Sequence, residues 1–76
     1  MTEKLLVYAA TRSTVHSWSI HSQNKTFRSL RKAIEYAGEH VEELRALEVF
    51  IHNGDQREHI ICGDELASLI DEVCFH

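Results

Sequence analysis

The stretch Phe27-Arg28-Ser29-Leu30-Arg31-Lys32-Ala33-Ile34-Glu35-Tyr36-Ala37-Gly38-Glu39-His40-Val41-Glu42-Glu43-Leu44 decides the fold. Phe27, Leu30, Ile34, Ala37, Val41 and Leu44 follow one another at spacings of 3, 4, 3, 4 and 3 residues, which draws a single apolar stripe along an α-helix. Thr26 or Ser29 can cap its start by accepting a hydrogen bond from a free backbone N–H. Neither is followed three residues later by the glutamate that completes a capping box.

On the C-terminal side the period changes to two. Leu47 to His52 alternates, Asn53-Gly54 supplies residues that tolerate positive φ in a tight turn, and Glu58 to Cys62 is rich in strand formers, so a hairpin is expected. Gly63-Asp64 then reads as a stop followed by a helix N-cap. Leu66, Leu69, Ile70 and Val73 stand at i, i+3, i+4 and i+7 on a second, short helix. On the N-terminal side, Leu5 to Ala10 is apolar on both faces and Val15 to Ser22 alternates loosely, with Thr11 to Thr14 as a polar turn between them. In that second strand Trp18 and Ile20 share a face with His16, while Ser17, Ser19 and His21 occupy the other. The predicted order is ββαββα. This is an α+β fold in one domain over residues 1–76, a four-stranded antiparallel sheet with helices packed on one face.

Composition fits that size and class. With 76 residues, 43% hydrophobic and 26% charged, the chain has enough apolar side chains to order one core and too few residues for two. A core this small rarely supplies more than ~3 to 5 kcal/mol, so self-association is expected if the second sheet face or Trp18 is incompletely covered. The longest apolar run, Leu5 to Ala10, is far below the ~20 residues that cross a bilayer, which predicts a soluble cytoplasmic protein without membrane contact. Cys62 and Cys74 lack the Cys-x-x-Cys spacing of redox or zinc sites and are expected to be buried thiols.

Trp18-Ser19-Ile20, Thr26 and the run Ala33-Ile34-Glu35-Tyr36-Ala37 resemble a family of short bacterial proteins of unknown function. In that family a Trp-x-Val strand leads through a threonine into a helix with an Ala-Ile-x-x-Ala core. The resemblance covers residues 15–40 and implies a fold only, with no functional residue to carry over. The helix from Asp64 onward is an addition to the family pattern.

Charge carries the functional reading. Residues 1–34 hold six bases against one acid, a net +5, whereas residues 35–76 hold two bases against eleven acids, a net −9. The first helix repeats this polarity against its own dipole. A helix favours acids at its start and bases at its end, each contributing about 0.3 to 1 kcal/mol when exposed. Here Arg28, Arg31 and Lys32 come first, and Glu39, Glu42 and Glu43 come last. Glu35/Glu39 and Glu39/Glu43 are like-charge i,i+4 pairs, and only Arg31 with Glu35 is a favourable i,i+4 pair. Summed crudely, the arrangement costs about 1 to 2 kcal/mol at low salt. A partner surface would offset that cost, as would a second copy lying antiparallel along the helix.

The expectation is a non-enzymatic protein-binding module that contacts its partner through Arg28, Arg31, Lys32, Glu35, Glu39, Glu42 and Glu43. Its acidic pole, extended by Glu65, Asp71 and Glu72, would occupy a basic surface on another protein by imitating phosphate. A small inhibitor or accessory protein of a nucleic-acid-processing complex fits, a phage antagonist of a CRISPR effector being one concrete form. The alternatives are a homodimeric nucleic-acid binder using Arg28, Arg31 and Lys32 at a helix N-terminus, and a metal-binding protein using some of the six histidines. His52 and His59 flank the Asn53-Gly54 turn and are the pair placed to converge, whereas His59 and Cys62 fall on opposite strand faces. No cofactor is expected. No Gly-x-Ser-x-Gly elbow or Gly-rich phosphate loop is present, and a chain of 76 residues is expected to leave little room for a cleft of about 300 Å³, so catalysis is not expected.

Overall fold

The computed structural model describes residues 3–18, 24–52 and 59–75; of Glu3, Lys4, Glu43 and Leu44 it describes the backbone alone. The elements in order are α1 (Glu3–Val7), β1 (Ser13–Ser17), β2 (Lys25–Phe27), α2 (Leu30–Glu39), a 3-10 helix (Val41–Ala46), β3 (Leu47–Ile51), β4 (His59–Cys62) and α3 (Gly63–Cys74). The expected ββαββα order is therefore present, preceded by one short helix. The four strands form an antiparallel sheet of order β2-β1-β3-β4. Since β2 and β3 flank β1, the chain passes over β1 through α2, and this crossover lays the helix on the sheet.

The first hairpin lies one segment later than the sequence reading put it. Leu5 to Ala10 is not a strand: it forms α1 and a turn closed by bonds from Ala9 N–H to the Leu6 carbonyl and from Thr11 N–H to the Tyr8 carbonyl. Only Leu5 of this run enters the core, while Leu6 and Val7 are more than half exposed. Ser13 and Thr14, read as part of a polar turn, open β1, whose register pairs Thr14 with Thr26 and with Phe50.

Helix α2 is shorter than its sequence stripe. Ser29 is its N-cap, the hydroxyl accepting from Lys32 N–H at 3.2 Å, and Leu30, Ala33, Ile34 and Ala37 are its buried residues. Phe27 precedes it on β2. At the other end His40 N–H bonds the Ala37 carbonyl, an i to i−3 contact that tightens the chain into the 3-10 helix. Val41 is consequently 43% exposed and does not continue the stripe. Helix α3 buries Leu66, Leu69 and Ile70 as expected, with Val73 packed at the edge of the core. Its start differs from the expectation: Gly63, at φ 59°, turns the chain directly from β4 into the helix, so Cys62 takes the cap position and Asp64 falls inside the first turn.

Both helices cover the same face of the sheet. Val15, Leu47, Val49, Ile51 and Ile61 point inward to meet Leu30, Ala33, Ile34, Ala37, Leu66, Leu69 and Ile70 in one core that Leu5 completes. The contact between helices is close. A Cβ placed on Gly38 would stand 2.6 Å from Cys74 Sγ and 3.3 Å from Ile70 Cγ2, so a hydrogen at this position is what lets the C-terminal ends of α2 and α3 meet. The core is aliphatic throughout. None of the six aromatic residues belongs to it: Tyr8, Phe27 and Tyr36 pack at its rim, and Trp18, Phe50 and Phe75 lie elsewhere.

Candidate functional site

Two surfaces stand out, one on each side of the sheet. On the helix side, Arg31 and Lys32 occupy the first turn of α2, which holds no acid, and Glu35 and Glu39 follow, with no base in the last turn. Helix α3 carries Asp64 and Glu65 in its first turn and also ends without a base. Since Gly38 and Cys74 touch, the negative ends of two helix dipoles lie side by side next to Glu35 and Glu39. The thiol pKa of Cys74 is raised, first by desolvation and then by Glu35, with Arg31 opposing the shift and Glu39 adding a smaller contribution. Arg31 Nε lies 3.7 Å from Glu35 Oε2, with both side chains about half exposed, so this pair contributes no more than about 0.5 kcal/mol.

The residues singled out for partner contact therefore divide. Arg31, Lys32, Glu35 and Glu39 are exposed along α2, and Arg28 is exposed ahead of its cap. Glu42 is exposed on the 3-10 helix and is not a residue of α2, because the helix ends at Glu39. The Glu39/Glu43 pair loses its α-helical i,i+4 relation for the same reason, and the Glu43 side chain lies outside the described residues.

Among the described residues no helix covers the opposite face of the sheet. Its cross-strand row Thr26, Thr14, Phe50, Ile60 lies beside the row His16, Glu48, Cys62, as the registers require. Thr14 is its polar hub: the hydroxyl lies 2.7 Å from Thr26 Oγ1 and 2.7 Å from His52 Nε2, tying β2 and β1 to the residue that follows β3. His16 Nδ1 bonds Asn24 Oδ1, and its ring meets Trp18 edge-on at 5.0 Å and Phe50 at 6.1 Å. Arg12, Thr14, Asn24, Thr26, Phe50 and His52 surround an open hollow of about 560 Å³. This hollow is an open part of the sheet surface and takes no volume from the core.

Sequence reasoning placed His16 and Trp18 on one strand face but missed the set around the hollow. The signal was present in the shared parity of Thr14, His16 and Trp18. It could not be used without the register that sets Thr26 and Phe50 against Thr14.

Histidines do not converge at hairpin two. His59 pairs with inward-facing Ile51 and stacks near Tyr8, whereas His52 bonds Thr14 on the outer face, so the two leave the hairpin on opposite sides. The Asn53-Gly54 turn between them, and His21 and His76, lie outside the described residues. Among the described residues no three histidine, cysteine or acidic side chains gather as a metal site would require. Both cysteines are exposed free thiols, contrary to the expectation of burial, because Cys62 falls on the outward parity of edge strand β4 and Cys74 on the last turn of α3. No helix among the described residues is long and apolar enough to cross a membrane.

Comparison with protein-family models, with curated proteins and with solved structures returns no match for this chain.

Proposed function

We propose that the chain is a non-enzymatic protein-binding module whose helix layer presents an acidic pole to a basic surface on a larger partner, as a small inhibitor or accessory subunit of a nucleic-acid-processing complex does. One observation carries the reading: α2 and α3 end side by side, neither with a base in its last turn, beside the exposed carboxylates of Glu35 and Glu39. Left in water, this arrangement is mildly unfavourable; against lysines or arginines of another protein it becomes favourable and speeds encounter. The basic start of α2 supports nucleic-acid binding less well. Ser29 already satisfies the Lys32 N–H that would face a phosphate, and Arg31 is drawn toward Glu35.

Affinity capture from the native host tests the reading. The wild-type chain is expected to retain a protein with a basic face, and Glu39→Lys with Glu42→Lys is expected to lose it at low salt. Capture that survives this reversal overturns the proposal, as does retardation of nucleic acid by the wild type that Arg31→Glu abolishes.

A further inference from the structure

The outer face of the sheet carries a projection and a hollow on the same strand. Trp18, 70% exposed, follows the last residue of β1, and the hollow surrounds Thr14 four residues earlier, about 13 Å along the strand. His16 lies midway. We propose that this face docks a second copy of the chain, each Trp18 entering the hollow of the other copy.

A two-fold axis lying in the interface, and crossing the strands at His16, exchanges the two ends of β1. It therefore sets each indole over the partner's Thr14. Because hollow and projection share one strand, no sideways shift is needed, and a surface that complements itself in this way closes on two copies without building a fibre. The lining suits an indole: Phe50 offers a ring, Arg12 a guanidinium for the π face, and Thr26 a hydroxyl that can accept from the indole N–H. Ile60, 50% exposed, adds apolar surface beside Phe50.

Size agrees with this occupant. The molecule measures 30 × 29 × 18 Å between Cα extremes, which leaves room for the ~800 Å² each partner contributes to a standard interface. Two sheets stacked face to face at ~10 Å would bury Trp18 and Phe50, two of the aromatic residues that the aliphatic core leaves out. A single-stranded nucleic acid fits less well. Among the described residues Arg12 is the one fixed cation in the lining, Glu48 stands beside His16 on the same face, and the chain is net −4. In the dimer the two Glu48 carboxylates approach the axis together with two imidazoles. The helix layers remain outward on both sides, so the proposal does not depend on the acidic-pole reading.

Sedimentation of the full chain over a range of concentrations, with emission from its sole tryptophan, tests the proposal. The wild type is expected to dimerise reversibly, its emission moving to shorter wavelength as the dimer forms. Trp18→Ala removes the projection and Thr26→Trp fills the hollow; each is expected to weaken association at least about 30-fold while leaving the circular dichroism unchanged. Mixed in equal amounts, the two variants are expected to recover a heterodimer, because one indole again meets an open hollow while alanine faces the filled one. Should Thr26→Trp fail to fold, Arg12→Trp fills the same hollow from outside the strands. A wild type that stays monomeric overturns the proposal, and so does a mixture that fails to recover. Binding of a single-stranded oligonucleotide to a monomer, with quenching of Trp18, overturns it in favour of nucleic acid.

Discussion

The two faces of this sheet use the same strands for opposite ends. Along β3, Leu47, Val49 and Ile51 are buried beneath the helices while Glu48 and Phe50 point away. Along β1, Ser13, Val15 and Ser17 face inward, and Thr14 and His16 face out. The covered face is aliphatic or small at its centre, with Phe27 of β2 set against Tyr36 at its rim, whereas Phe50 and Trp18 lie on the uncovered side. Ser13 shows why small residues suit the inside: it is fully buried, and its hydroxyl is satisfied by the Thr11 carbonyl at 3.2 Å. Large aliphatic side chains mark the interior here, and aromatic ones are kept to its rim or outside it.

Neighbouring residues on β4 offer the sharpest way to break this contrast. Ile61 is fully buried and Ile60 is 50% exposed. Ile61→Asp is expected to unfold the chain, because a carboxylate would be buried without a partner and the aliphatic contacts would be lost, together more than the ~3 to 5 kcal/mol a core of this size supplies. Ile60→Asp is expected to cost less than about 1 kcal/mol. Urea titration followed by circular dichroism checks both, and similar losses at the two sites would erase the distinction between the faces.

The helix side can be probed where it is tightest. Gly38→Val would force two methyl groups toward Cys74 and Ile70 and is expected to cost about 2 kcal/mol in the same titration. Gly38→Ala is expected to be better tolerated in a Cys74→Ala background than alone, since the sulfur is the nearest obstacle. Additive costs would mean that the two helices are not in contact at this point.

The smallest effect concerns the charge beside that contact. Removing Glu35 and Glu39 as Gln lowers the thiol pKa of Cys74, since both carboxylates oppose the thiolate. At fixed pH near 8, in a Cys62→Ser background, alkylation of Cys74 is then expected to speed up severalfold, in proportion to the thiolate fraction. Arg31→Ala is expected to slow it, because the guanidinium favours the thiolate. Unchanged rates in both variants would show that the acidic field does not reach the end of α3.

Much of the fold was legible because its signals were periodic. Leu30, Ile34 and Ala37 repeat with the turn of a helix, as do Leu66, Leu69, Ile70 and Val73, and Leu47 to His52 alternates as a half-covered strand must. Leu5 to Ala10 was misread because an unbroken apolar run has no period, and a short helix with one buried leucine looks the same as a strand buried on both faces. The Ser13–Ser17 strand was hard to place because its inward residues are serines around one valine, which resemble a turn. The helix limit at Glu39 was hidden for another reason: Val41 and Leu44 continue the spacing, and only the His40 bond to Ala37 reveals that the backbone has tightened. Of the candidate surfaces, the acidic helix end was visible as a charge order. The hollow was not, since it joins residues from three strands whose register no local pattern encodes.

The joint at Gly63 has a mechanical consequence. With no loop between them, an edge strand and a helix of 12 residues meet at one residue. The helix is about 18 Å long and its last turn rests on Gly38, so α3 is anchored at both ends, by the joint with β4 and by α2.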